Sequence, residues 1–308
     1  MKILGSYKNN DYTCTMFSDG TKIRWNDKDS FNPIKPESID LKICNRCDMG
    51  CGMCHENSTP DGKHGDILNL PFIDTMFPYS EIAIGGGNPL THPDLVEFLE
   101  HLKERKIIAS MTVNQVHFMR NIDFLKELTD KKLIYGLGIS YIGGRLSYIG
   151  GRRENCINAI KQFPNAVVHV INGIVNMDSL EALAHNDLKI LILGYKEFRR
   201  GKVLYDECGR EIDSLKYQFY DMLPKIVNEG WFKCISFDNI AIKQLEPKRL
   251  MSDEDYKSFF MGIDGEYTMY VDAVNRQFAK SSVSTERYDL MDDIADMFKV
   301  IKDGVNGK

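Results

Sequence analysis

The chain has 308 residues, 43% of them hydrophobic and 27% charged, with a formal net charge of -5. That length carries one large domain or two small ones with enough apolar residues for a buried core, and the mild acidity gives no general pull toward nucleic acid or an anionic membrane. The opening MKILGSYKNN lacks the apolar run of a signal peptide, and no stretch reaches the roughly 18 consecutive apolar residues of a membrane span.

The expectation is a cytoplasmic protein with neither a membrane nor a nucleic acid as partner. In that reducing compartment, eight cysteines point to metal or redox chemistry before disulfides.

In chain order, YTCTMFSDGTKIRW (12–25) reads as a β-hairpin about the turn residues Asp19 and Gly20. DSFNPIKPES is a polar connector containing prolines. SIDLKIC (38–44) then opens a series of strands. It continues with SEIAIGG (80–86), KIIASMTVN (106–114), LIYGLGIS (133–140), AVVHVIN (166–172) and LKILILG (188–194). Helices are predicted between and after them over HPDLVEFLEHLKER, NIDFLKELTDK, RENCINAIKQF, MDSLEALAHN and EIDSLKYQFYDMLPKIVNEG.

The strands are short and mostly lack clean polar alternation, as expected of parallel strands buried on both faces. Six such units predict an α/β fold with a parallel sheet; periodicity leaves open a doubly wound sheet or an incomplete barrel. Beyond them, FKCISFDNIAIKQL (232–245) and GEYTMYVDAVNRQFAKSS (265–282) read as strands with turns, and LMDDIADMFKVIKD as a closing helix. The repeat SYIGGR at 140–145 and 147–152 reads as a local loop duplication, or as a glycine-rich nest for a carboxylate or phosphate.

The densest chemistry lies in DLKICNRCDMGCGMCHENS (40–58), where Cys44, Cys47, Cys51 and Cys54 follow a C-x2-C-x3-C-x2-C pattern. Structural zinc usually joins two separated knuckles, and a three-residue linker leaves little chain to wrap a tetrahedral ion. The bacterial ferredoxin run C-x2-C-x2-C-x3-C-P does not fit either. What remains is C-x3-C-x2-C, formed by Cys47, Cys51 and Cys54. Three thiolates can hold three irons of a [4Fe–4S] cube and leave the fourth iron open. The position, just past the carboxyl end of the first strand of the series, is where parallel α/β folds place their chemistry.

These residues resemble the radical S-adenosylmethionine (radical SAM) superfamily, over roughly residues 38–195. CDMGCGMC matches the family's cysteine motif. IAIGGGNPLTHPDL resembles its Gly-Gly-Glu-Pro segment, with Gly86, Gly87, Asn88 and Pro89 in register. Two departures stand out. Asn88 occupies the position of a frequent Glu that binds the methionyl amine, and Met53 stands where an aromatic residue often packs on the adenine.

The resemblance implies an incomplete (β/α)6 TIM-like barrel over 38–230, preceded by an N-terminal hairpin extension (1–37) and followed by a C-terminal β/α cap (231–308). It implies a [4Fe–4S] cluster on Cys47, Cys51 and Cys54, and S-adenosylmethionine chelating the open iron. Reductive cleavage would give a 5′-deoxyadenosyl radical that abstracts hydrogen from a small polar molecule or a peptide. An electron donor such as flavodoxin or ferredoxin is implied.

Asn114, Ser140 and Asn172 end later strands and are candidates for cofactor contact, with Met53, Gly86, Gly87, Asn88 and Pro89. Lys196, Arg199, Arg200 and Lys202 in GYKEFRRGK are read as a substrate-binding basic cluster for an anionic group, or as a solvated loop. His55 is read as supporting the loop, and Cys44 as a buried strand thiol. Cys14, Cys156, Cys208 and Cys234 show no clustered spacing, so an auxiliary cluster is not expected. Two alternatives are a zinc-binding module without catalysis and, within the family, an activase of a glycyl-radical enzyme.

Overall fold

In SIDLKIC the branched residues Ile39, Leu41 and Ile43 fall on one side of an extended chain, and Ser38, Asp40 and Lys42 on the other. That division runs through the parallel strands of the computed structural model, which describes residues 1–142 and 153–306. The chain begins with an antiparallel three-stranded sheet of β1 (Ile3–Asn9), β2 (Tyr12–Phe17) and β3 (Lys22–Trp25). The predicted hairpin is β2–β3, and β1 extends it.

The series follows: β4 (Ser38–Cys44), β5 (Glu81–Gly86), α1 (Leu95–Glu104), β6 (Ile108–Asn114), α2 (Gln115–Arg120), α3 (Ile122–Asp130), β7 (Gly136–Ser140) and α4 (Arg153–Ile160). It continues with β8 (Ala166–Ile171), α5 (Met177–Glu181), β9 (Lys189–Leu193) and α6 (Arg200–Asn228). The last part holds β10 (Cys234–Phe237), α7 (Asn239–Leu245), α8 (Asp253–Phe259), β11 (Thr268–Asp272), β12 (Gln277–Ala279), β13 (Tyr288–Asp289) and α9 (Ile294–Asn306).

Among the described residues, ten strands form one sheet in the order β10-β9-β8-β7-β6-β5-β4-β11-β12-β13. From β10 to β11 every pairing is parallel; β12 and β13 return antiparallel. The sheet is open, with β10 and β13 at its edges. The six predicted strands are β4 to β9. The segment after residue 231 supplies strands at both ends of the sheet. Of the strands expected over FKCISFDNIAIKQL, only β10 forms. Asp238 then caps a helix, its Oδ1 accepting the Ala241 N–H at 2.7 Å. The last predicted helix of the series starts earlier, at Arg200, and carries a non-helical residue at Cys208.

The strands are not buried on both faces. Ile39, Leu41, Ile82, Ile84, Met111 and Val113 share a core with Leu95, Phe98, Leu99 and Leu102 of α1, which recur at helical spacing. On the opposite face, Tyr270, Asp40, Ala83, Ser110 and Gly136 lie side by side across five strands. Of these, Asp40 is exposed and Ala83, Ser110 and Gly136 are partly so. Alternation was present all along, with glycine, alanine and serine on its quiet face. Small residues read as neutral in a hydropathy pattern, so the strands looked continuously apolar. Among the described residues no helix is long and apolar enough to cross a membrane. The second SYIGGR copy and half of the first lie outside the described residues.

Candidate functional site

In-register parallel strands bring their carboxyl ends, and the loops beyond them, to one rim of the sheet. The loop after β4 folds back on itself. The Asn45 N–H donates to the Lys63 carbonyl (2.7 Å), Cys47 N–H to Thr59 (2.8 Å), Thr59 N–H to Asn45 (3.0 Å) and Cys54 N–H to Cys51 (3.2 Å). Gly50, between the first two motif cysteines, has φ +59°, a left-handed turn that glycine adopts without steric cost. Cys47, Cys51 and Cys54 are partly exposed, whereas Cys14, Cys44 and Cys156 are buried. Burial pushes the Cys44 thiol up to about 11, as expected of a strand thiol. Cys47 is raised too, by burial first and also by the charges of Asp48 and Cys54.

The glycine segment is docked on this loop. The Gly87 N–H donates to the Cys44 carbonyl (2.8 Å) and the Asn88 N–H to Arg46 (2.7 Å). A Cβ on Gly86 would strike the Cys44 carbonyl, and one on Gly87 the Arg46 carbonyl. The two glycines are therefore what lets two backbones meet at the rim. Asn88 is buried, and its Oδ1 accepts the Leu90 N–H (3.2 Å), capping the short turn Pro89–Thr91.

The other strand-end candidates separate. Asn114 and Ser140 are register partners, both partly exposed, and the Asn114 Oδ1 caps α2 through the Val116 N–H (2.9 Å). Asn172 is fully buried, donating to Gln244 Oε1 (3.0 Å), and its own Oδ1 has no partner. It is turned toward α7, where Gln244 also holds the Tyr195 backbone. Met53 is partly exposed, and the Met53 carbonyl lies against Gly201 at the start of α6.

The basic residues meet the cysteine loop instead of standing open. Arg199 donates to the Glu56 carbonyl (3.1 Å), with its guanidinium 3.6 Å from the Glu56 carboxylate; Arg200 donates to the Ser58 carbonyl. Lys196 donates to Ser282 Oγ (3.0 Å) and lies 3.4 Å from His55 Nε2. Lys202 pairs with Asp206 one turn along α6, at 2.9 Å.

Residues not singled out in the sequence complete the arrangement. Buried Lys42 lies 3.1 Å from Glu56 and 3.1 Å from Asp272, and the Tyr270 hydroxyl donates to Glu56 at 3.0 Å. Desolvation, reinforced by Lys196 and Arg199, holds His55 well below its ordinary range, so its imidazole is neutral. His117 Nε2 lies 2.6 Å from the Asp48 carboxylate. Donor atoms of Cys47, Asp48 and His117 fall within 4.8 Å of one another. Lys42, two residues after Asp40 in the first strand of the series, was the one legible signal among these.

No family model matches the chain. Two archaeal relatives are each described as a probable GTP 3′,8-cyclase. That of Methanococcus maripaludis is 29% identical over 97 residues, and that of Methanocaldococcus jannaschii 28% over 100. Each match covers 29% of this chain and 32% of the relative, so the chain spans about a third of the length of the curated relatives it matches. Among solved structures, Streptococcus suis SuiB superimposes with a TM-score of 0.57 at 14% identity, covering 90% of this chain and 69% of SuiB. SuiB bound to S-adenosylmethionine gives 0.55 at 14% identity, over 87% of this chain and 64% of SuiB. A further SuiB structure contains its precursor peptide SuiA, with a TM-score of 0.56 at 14% identity over 87% of this chain and 65% of SuiB. This likeness shows a common mixed α/β fold with a large parallel sheet. In its cysteine spacing, in the glycines that carry its loop and in its partial match to the cyclases, the chain is similar to the radical S-adenosylmethionine superfamily.

Proposed function

We propose that Cys47, Cys51 and Cys54 hold a [4Fe–4S] cluster and that S-adenosylmethionine binds beside it. The observation that carries this reading is the loop itself: three partly exposed thiols at the rim of a parallel sheet, beside a glycine pair that bonds to the loop backbone. The donor set fits, since three thiols satisfy three irons and leave one coordination position for a cosubstrate. When bound, the cluster supplies the electron that splits S-adenosylmethionine into methionine and a 5′-deoxyadenosyl radical, which takes hydrogen from the substrate.

The chain's own residues hold the geometry. Arg199, Arg200 and Lys42 fasten Glu56 and Ser58, two and four residues past the last cysteine. Gly86, Gly87, Asn88 and Pro89 form the neighbouring wall; Met53, Asn114, Ser140 and Asn172 are proposed as further cofactor contacts. The open sheet is read as an incomplete (β/α)6 barrel over 38–230, between an extension at 1–37 and a cap at 231–308. The substrate is proposed to be a small polar molecule or a peptide, with Lys196, Arg199 and Arg200 on its side of the site. SuiB with its precursor peptide supports the peptide option by fold likeness alone. The electron donor is proposed to be a flavodoxin or ferredoxin, and the compartment the cytoplasm.

The test is anaerobic reconstitution followed by iron and sulfide analysis. About four of each per chain are expected, lost on replacing Cys47, Cys51 or Cys54 with Ala and kept on replacing Cys208 or Cys234. One observation favours a second reading, the cluster of Cys47, Asp48 and His117 donors, which suits a structural zinc ion. Tightly bound zinc that resists exchange for iron and depends on His117 would establish it against the first.

A further inference from the structure

Strand parity puts Asp40 of β4, Thr112 of β6 and His169 of β8 on the accessible inner face of the sheet. Gly85 and Gly136 are partly exposed on that face, so its floor carries little side chain. The ring of His169 and the hydroxyl of Thr112 lean across Gly138, where a Cβ would collide with both. The side chains of Asp40, Thr112 and His169 form no hydrogen bond among the described residues, where only their backbones are paired. Three polar side chains on one accessible face, all free of protein hydrogen bonds, leave that face open to a ligand in place of water.

Asp40 is reached by solvent yet surrounded by protein. Desolvation, ahead of the charges of Asp264, Asp238 and Glu56, lifts its carboxyl to about 6 against the pull of Lys196. Burial holds His169 neutral, down to about 4.

The charges around the recess do not balance. Lys42 and Arg199 are matched by Glu56 and Asp272. What remains is Asp40, Asp238 and Asp264 against Lys196 and Arg287, the latter lying over Tyr270 and bonded only to backbone carbonyls. Asp238 accepts the N–H groups of Gly194 (2.9 Å) and Ala241 (2.7 Å), and Asp264 accepts Asn239 Nδ2 (2.6 Å). Asp40 is thus the acceptor left without a donor, in a recess short of positive charge.

We propose that the inner face of the sheet seats a substrate carrying a cationic nitrogen, and that Asp40 receives that nitrogen. This deepens the proposed function and rests on the rim above being the cosubstrate site. A cation supplies the missing donor and the missing charge together. A carboxylate would meet Asp40 and its three acidic neighbours.

The test uses saturation-transfer NMR on the full chain at neutral pH, with n-butylammonium as the probe and n-butanol and butyrate as matched controls. Butylammonium should bind better than either control. Asp40→Asn should weaken it by about tenfold, the loss of one charge-assisted hydrogen bond. Lys196→Met should strengthen it, because a competing cation is gone; this opposite sign excludes simple misfolding as the cause. A variant with Cys47, Cys51 and Cys54 all changed to Ala should still bind the amine, which separates this inference from the cluster reading. If butanol binds as well as the amine, or Asp40→Asn leaves amine binding unchanged, the proposal is overturned even where the protein holds iron. If amine binding follows Asp40 in a protein that takes up no iron, the seat stands and the cluster reading fails.

Discussion

Lys42 is only 2% exposed, and an ammonium so placed must be compensated. Glu56 and Asp272, each 3.1 Å away, do this. Such a triad is no large source of net stability, because desolvating its members offsets their attraction, but removing one partner strands a charge at a cost of about 3–5 kcal/mol. Glu56 follows the cysteine motif directly, so the triad ties the loop to the middle of the sheet. Asp40, two residues earlier on the same face, has no ion pair at contact distance among the described residues, only the more distant pull of Lys196. Its carboxyl is raised to about 6 from an ordinary 3.8, by desolvation first. Its proton is therefore held more tightly in the folded chain, and the stability cost is absent below the unfolded value and complete above about pH 6. Asp40→Asn should accordingly raise stability by about 1 kcal/mol at about pH 7.5, after allowing for the solvent that screens Asp40, with little effect at about pH 4. Urea unfolding at the two pH values checks this; an equal difference at both would show that Asp40 does not titrate as described.

At the scale of elements, the cysteine loop and the glycine segment act as a pair. Their contact is backbone to backbone, through the Gly87 and Asn88 N–H groups, so side-chain chemistry at these positions matters less than the absence of a Cβ. Gly87→Ala should cost about 1–3 kcal/mol from crowding and loosen the loop. Gly85→Ala, where a Cβ would meet nothing within 4 Å among the described residues, should cost far less. The rate at which a thiol reagent labels Cys47, Cys51 and Cys54 in the two variants distinguishes them, rising in Gly87→Ala alone. Equal labelling would mean that the loop holds itself without the glycine contact. The cysteine spacing and the glycine segment were both legible because each is local. The helix α7 was not, since its Asp238 cap is a single residue and the apolar spacing of NIAIKQL suits strand and helix alike over so short a run.

For the whole molecule, the decisive element is β11. It inserts beside β4 in parallel register, with Tyr270 opposite Asp40 and Asp272 opposite Lys42. Through it the last part of the chain reaches the site: Tyr270 to Glu56, Asp272 to Lys42, and Ser282 to Lys196. Deleting residues 267–308 should leave β4 as an open edge and Lys42 with one carboxylate in place of two. Poor recovery of folded protein is expected, together with loss of iron from whatever folds. A truncated chain that stays monomeric in size-exclusion chromatography and reconstitutes normally would show that β11 is dispensable to the site.

What the sequence by itself determined is what short-range physics controls. Strand and helix periodicity repeats within a few residues, and the order of six β units followed from it. The three thiols converge because they lie on one loop, and the glycines beside them declare a close backbone approach. Tertiary structure alone decided which polar residues face one another. Lys42 and Asp272 lie 230 positions apart, Glu56 and Tyr270 lie 214 apart, and His117 meets Asp48 across 69. No local pattern encodes such pairs. The inner face was hidden for a related reason: its glycines, alanines and serines have almost no hydropathy of their own, and only the assembled sheet turns them into the accessible floor on which Asp40 stands.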